Sequence, residues 1–214
     1  KQVFTEAEIE RFLDVDEERW GEEMALALVP ALTAIMLSGA SRIADEIGIG
    51  IPSIGEGSPA VAQAFSGYSS RMRTGPNETL LYDVKRAVLE ALESADVSGA
   101  ASLAEAVALV KKDVEAKFTV LLDGLEARAD RIARTETVRS FNEGRVAEMG
   151  AAGVTKHTWM SSRDGNVRDS HQFVDGQTVA VGTQFLNGLA FPGDPSGPAE
   201  EGVNCRCITV AEAK

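Results

Sequence analysis

A chain of 214 residues and 22.7 kDa, 44% hydrophobic and 25% charged, is long enough to bury one or two cores. Its formal net charge of -12 excludes a protein that grips nucleic acid by neutralising phosphates across its whole surface. Aromatic residues make up only 6%, so any core must be built mainly from Ala, Leu, Val and Ile.

Residues 1–23 carry three positive and nine negative side chains, half of the net excess. Lys1 opens the chain without an initiator methionine, as a piece of a longer polypeptide or a processed or trimmed product would, and no signal peptide is read after it. Asp14 and Glu17 have capping-box spacing, which predicts a helix through "EERWGEEMALALVPALTAIMLSGASRIADEIG" to Gly48, kinked or split at Pro30. Within it, Met24 to Ser41 is uncharged for 18 residues, the short edge of a membrane span. The bulky residues at 28, 32, 35, 36 and 43, with Gly39, form one helical stripe among small residues. That pattern predicts a buried helix of a water-soluble protein and no membrane partner.

Residues 49–77 are rich in Gly and Pro and read as a linker. Inside it Ser58-Pro59 has the form of a helix start, a cap followed by proline at the first helical position. Asn77 then caps "ETLLYDVKRAVLEALES", and Ser102 with Glu105 forms a capping box for "LAEAVALVKKDVEAKF". A separate helix, "LLDGLEARADRIARTETVRSFNEGRVAEM", is expected to end at Gly150 as a left-handed C-cap.

After residue 150 the pattern becomes strand-like. "VTKHTWM" precedes the turn "RDGN"; Asp175-Gly176 and Asn187-Gly188 are tight-turn signals flanking "QTVAVGTQF" and "LAF"; "CRCITV" reads as a closing strand. The expected fold is therefore α+β: an elongated helical body over about 1–150 and a small, loop-rich, β-containing C-terminal cap over about 151–214. Four segments follow: 1–48, 49–77, 78–150 and 151–214.

Both cysteines, Cys205 and Cys207, and both histidines, His157 and His171, lie in the last 58 residues. On a strand, positions i and i+2 face the same way, so the two sulfurs could share a soft cation with one or two imidazoles. A disulfide is disfavoured, because two extended residues span roughly 6.8 Å, the upper limit for the bridge. Two readings stay open: a zinc-type set with His171 the better imidazole, or two small buried hydrophobes beside a turn. Arg168 and Arg206 are candidate anchors to loop carbonyls or to Asp194.

On "RIARTETVRSFNEGR", Thr135, Val138, Asn142 and Val146 share a helix face, with Arg134, Glu136 and Arg139 placed to pair at three or four residues. The segment is either a polar site or a surface ladder of ion pairs with Thr and Asn packed against the cap. No nucleophile–base signature, phosphate loop or dinucleotide fingerprint is present. His171 and Asp175 are the one candidate base and orienter.

Taken in order, "RIARTETVRSFNEGR", the Trp159 segment "HTWMSSRDGNVRDSHQFVDGQTV" and "FPGDPSGPAEEGVNCRC" resemble the tailed-phage head morphogenesis domain named for protein F of phage Mu. The resemblance is strongest over 128–210, and the helical region upstream resembles portal-linked members. It marks Arg134, Thr135, Glu136, Asn142, Trp159, Arg168, Asp175, Gly176, Asn204 and Arg206 as structural motif residues. Many members carry a further Cys-x-x-Cys or Cys-x-x-His near "RDSHQF", where only His171 stands here. A metal set of His171, Cys205 and Cys207 would then need His157 or Asp175 as its fourth ligand. What the resemblance implies is a minor head component without catalytic activity, in the virion at the head interior or portal vertex and in the host cytoplasm during assembly. Its partners would be portal and capsid proteins and copies of itself, and the charge gives no indication of contact with packaged DNA. Zinc is the only cofactor suggested. The alternative is an effector module, either a metal-dependent hydrolase or an ADP-ribosyltransferase-like enzyme.

Overall fold

The computed structural model describes residues 17–68, 71, 82, 83, 86, 87, 90 and 103–212. In chain order its elements are α1 (Glu17–Glu46), α2 (Pro59–Ala64), α3 (Leu103–Ala151), β1 (Lys156–Met160), α4 (Asp169–Phe173), β2 (Thr178–Ala180), α5 (Ala199–Gly202) and β3 (Ile208–Ala211). Helices and an antiparallel sheet of order β2-β1-β3 make the fold α+β. Two units divide the chain: one of Lys1–Ala25 with Gly67–Ala129, the other of Leu26–Ser66 with Asp130–Lys214.

In the first unit, Lys117 pairs with Glu90 at 3.2 Å and Arg128 with Asp83 at 3.4 Å. Tyr68 is buried beneath the Arg71 guanidinium, 5.2 Å from its ring centroid. The caps expected at Asp14, Asn77 and Ser102 lie outside the described residues.

The second unit holds the sheet, α2 and the parts of α1 and α3 that pack with them. Leu32, Met36, Ala40, Ile43 and Ala44 are buried on α1, while Leu28 and Ile35 of the predicted stripe are half-buried. Gly21–Glu46 is long and apolar enough to cross a membrane by composition alone, and 22% of that window is buried. Pro30 neither splits nor ends α1. It and Leu26, whose carbonyl its ring displaces from the helical ladder, are both exposed, so water can satisfy the freed acceptor. Gly48, the expected end of the helix, follows α1 at φ 77 and makes a left-handed stop. Ser58 caps α2, its Oγ accepting from the Val61 amide.

Two glycines let α1 and α3 approach at backbone contact. A Cβ on Gly144 would lie 1.8 Å from the Met36 carbonyl oxygen, and one on Gly39 would lie 2.1 Å from that of Phe141. Around this crossing Met36, Ala40, Ile54, Val61 and Ala64 form a core, with Ala147 packed against it.

The two helices expected over 103–149 are one helix of 49 residues. The junction, Phe118-Thr119-Val120, contains no Gly or Pro, and its β-branched pair costs too little helix propensity to interrupt the ladder. Gly150 is not the left-handed C-cap: α3 runs on through Ala151, and Gly153 takes the positive angle, φ 72.

In the sheet, His157 pairs with Val179 and Ala211, and Trp159 with Thr209. His157 and Trp159 alternate inward, as a half-buried strand requires. Trp159, Val174, Phe185, Leu189, Cys205 and Cys207 close the small core beneath.

Candidate metal centre

The polar face of α3 is turned into the protein, where it grips the loops and the last strand. Asn142 donates through Nδ2 to the Pro192 and Cys207 carbonyls at 3.1 and 3.0 Å, and its Oδ1 accepts from the Thr209 amide at 3.0 Å. Arg145 donates to the Thr209 carbonyl and pairs with Glu46 of α1. Thr135 Oγ1 accepts from the Asn204 amide at 3.0 Å, and Arg134 donates to the Asn204 side chain at 3.5 Å. Asn204 needs that hold, because its φ of 58 is a left-handed conformation unusual outside glycine. Arg139 bridges Glu136 at 2.7 Å and the Gly193 carbonyl at 3.1 Å. The Glu136–Arg139 pair is largely buried, so this is a clamp on the cap and not an exposed ladder.

These contacts deliver the C-terminal segment to the sheet. The cysteines do not lie on β3 as expected, since that strand begins at Ile208, one residue after Cys207. They come instead from the irregular stretch after α5, yet still converge. Cys205 Sγ lies 3.7 Å and Cys207 Sγ 3.4 Å from Nδ1 of His171, and the three ligand atoms fall within 4.8 Å of one another. All three residues are at most 2% exposed. His171 is carried by α4, which the sequence reading missed because "DSHQF" is a single turn of helix between two turn signals.

On the far side of the imidazole, Nε2 lies 2.9 Å from a Glu201 carboxylate oxygen. The approach is close but off the line of a hydrogen bond, and Nε2 has no other partner. Ser170 Oγ donates to the same oxygen at 2.8 Å, fixing the carboxylate. Glu201 carries no signal in the sequence, standing in a run of two glutamates that resembles any exposed helix start. The thiols are unequal. The hydrogen bond between them and burial push Cys205 above the usual thiol range, while the bond from Cys205 pulls Cys207 below it, aided by His171 and Trp159. The two sulfurs therefore favour sharing one proton between them. Trp159 stacks edge-on to His171, ring centroids 5.0 Å apart, and walls the cluster from water.

Neither proposed fourth ligand joins the cluster. His157 Nδ1 is 2.7 Å from Thr209 Oγ1, and its ring packs on Phe185. Asp175 accepts from the Ser161 amide at 2.8 Å and from Arg163 at 2.9 Å. These bonds outweigh burial, which alone would raise its carboxyl, and hold it below the ordinary range. Asp175 therefore fastens the turn whose last residue, Gly176, takes φ 82 and donates to the Trp159 carbonyl. Of the expected anchors, Arg168 donates to the Val203 carbonyl, but Arg206 is exposed and pairs with Asp164 at 2.7 Å. Asp194 serves its own turn, accepting from the Ala190 and Ser196 amides.

NAD(+)–arginine ADP-ribosyltransferase EFV of Enterococcus faecalis is 31% identical over 111 residues, which cover 51% of this chain and 22% of that protein. The chain therefore spans about a fifth of that relative's length. No solved structure matches it. The family model described as phage Mu protein F like protein matches residues 83–210, a span that takes in the α3 clamp, the sheet up to Val210 and the His171, Cys205 and Cys207 cluster. With more than half of its length inside that match, the chain belongs to the phage Mu protein F-like family.

Proposed function

We propose that this chain is a non-enzymatic minor component of a tailed-phage head, associated with the portal and acting in head assembly, DNA packaging or ejection. The reading is carried by the family match over residues 83–210. The use of the chain's buried polar groups supports it. Asn142, Arg145 and Thr135 engage main-chain groups or structural partners of the same chain, which builds a rigid docking module with little left over for chemistry. Self-association and contact with portal and capsid proteins belong to the same proposal, as does residence in the virion.

The test is biochemical. Heads purified from the phage that encodes this chain are expected to contain it at a copy number far below that of the major capsid protein, and it should co-purify with portal rings. Its absence from heads together with no affinity for portal rings would overturn the reading. A second reading, an ADP-ribosyltransferase module, is favoured by the partial match to the Enterococcus enzyme alone. Transfer of label from NAD to an arginine-containing acceptor by the purified chain would replace the structural reading with that one.

A further inference from the structure

We infer that His171 Nδ1, Cys205 Sγ and Cys207 Sγ form a binding site for one zinc-class cation, with Glu201 orienting the imidazole from behind. For a tetrahedral ion with ordinary Zn–S and Zn–N bonds, the sulfur-to-nitrogen edge of the tetrahedron is about 3.6 Å. The two such edges here are 3.4 and 3.7 Å, on either side of that value. With its proton on Nε2, the imidazole offers the two sulfurs a single lone pair at Nδ1, enough to accept from one thiol. One cation placed among the three atoms uses that lone pair and both sulfurs together.

The surroundings fit the same occupant. Glu201, 2.9 Å from Nε2, favours the tautomer with its proton there and so frees Nδ1 to face the sulfurs. This is the carboxylate–histidine–metal arrangement that holds and tunes ligands in metal sites generally. Two sulfurs and one imidazole select a soft or borderline ion such as zinc over magnesium or calcium. The three protein atoms leave the fourth position to water. His171 on α4 and the cysteines ahead of β3 are 34 and 36 residues apart. One ion would thus add a metal bridge between two segments already joined by the Arg168–Val203 and Ser170–Glu201 hydrogen bonds. The inference is independent of the role in head assembly, and either can fail without the other.

The experiment uses the full chain, produced with zinc in the medium and purified without chelator. Elemental analysis is expected to give about one zinc per chain, and replacement by cobalt should produce a thiolate-to-cobalt charge-transfer absorption. Cys205→Ser and Cys207→Ser should each abolish that absorption. Glu201→Gln should retain it but weaken affinity roughly 10- to 100-fold, the usual effect of losing an outer-shell partner. Should the serine variants fail to fold, the unmutated protein still decides. Less than about a tenth of an equivalent of metal, with no charge-transfer band on cobalt addition, overturns the site. Unchanged affinity in Glu201→Gln overturns the role given to Glu201.

Discussion

Asn142 meets Thr209 as a neighbouring strand would. Its side-chain amide accepts from the N–H of Thr209 on β3 at 3.0 Å and donates to the carbonyl of Cys207, just ahead of that strand, at 3.0 Å. A bare sheet edge is a row of unpaired donors and acceptors. Here one residue of α3, fully buried, closes that row and also binds the Pro192 carbonyl. Asn142→Ala leaves three buried main-chain groups without partners, so a loss of about 3 kcal/mol is expected in denaturant unfolding. Asn142→Asp should be at least as damaging, because it sets an acceptor against two carbonyls. Hydrogen exchange at Thr209 should speed up in both variants, and unchanged protection there would dissolve the link between helix and strand.

Gly144 is required for the crossing of α1 and α3. Its replacement by alanine drives a methyl against the Met36 main chain, which has no flexible end to yield, and the helices must move apart. A destabilisation of about 3 kcal/mol or more is expected in thermal or denaturant melts. Gly150 is the internal control: it lies in the same helix with nothing within 4 Å, so alanine there should be neutral or stabilising by about 0.5–1 kcal/mol. Equal effects at the two positions would mean that the close approach is not real.

Structure is legible in the sequence where one local signal decides and hidden where a local signal competes with packing. Ser58-Pro59 starts a helix, and the Asp175-Gly176 and Asn187-Gly188 turns take left-handed glycines, because φ and capping are set by the residues themselves. Gly150 misled because glycine stops a helix only where the chain must turn, and that point is Gly153. The grouping of His171 with the two cysteines could be read from residue chemistry, but not its support. Glu148, Arg145 and Glu201 look in sequence like ordinary charges on helix surfaces. Only the tertiary fold shows that Glu148 and Arg145 are at most 2% exposed and bound to other segments.

Glu148 is the next residue to test. Its carboxylate, with no exposure, accepts from the amides of Ser53 and Ile54 at 2.8 and 3.0 Å, fastening the loop between α1 and α2 to α3. Glu148→Ala strands two amides and should cost about 2–4 kcal/mol, while Glu148→Gln keeps one acceptor and should lose less. Limited proteolysis at residues 49–57 gives a local readout. Faster cleavage there, with the sheet still protected, is the expected pattern, and simultaneous loss of both would assign Glu148 a global role instead.

His157 makes the stability of the second unit fall on the acid side. Burial lowers its pKa from 6.5 to about 4, and Nε2 has no partner to receive a second proton. In the unfolded chain the same imidazole takes up its proton as pH falls through about 6.5. Between those values the unfolded state binds more protons than the folded state, so stability declines as pH falls from about 6.5 to about 4 and is unaffected by this group above 7. The full decline from His157 is on the order of 3 kcal/mol, of the same size as the entire margin of a weakly stable domain. Denaturant midpoints taken at half-unit pH steps should show that slope in the unmutated chain and a flatter one in His157→Gln, where the residual slope belongs to the carboxylates. Nuclear magnetic resonance of the imidazole gives the direct check. A titration midpoint for His157 near 6 in the folded protein would remove the cause assigned to the slope, since a histidine that charges at its ordinary pKa contributes nothing to the pH dependence of folding.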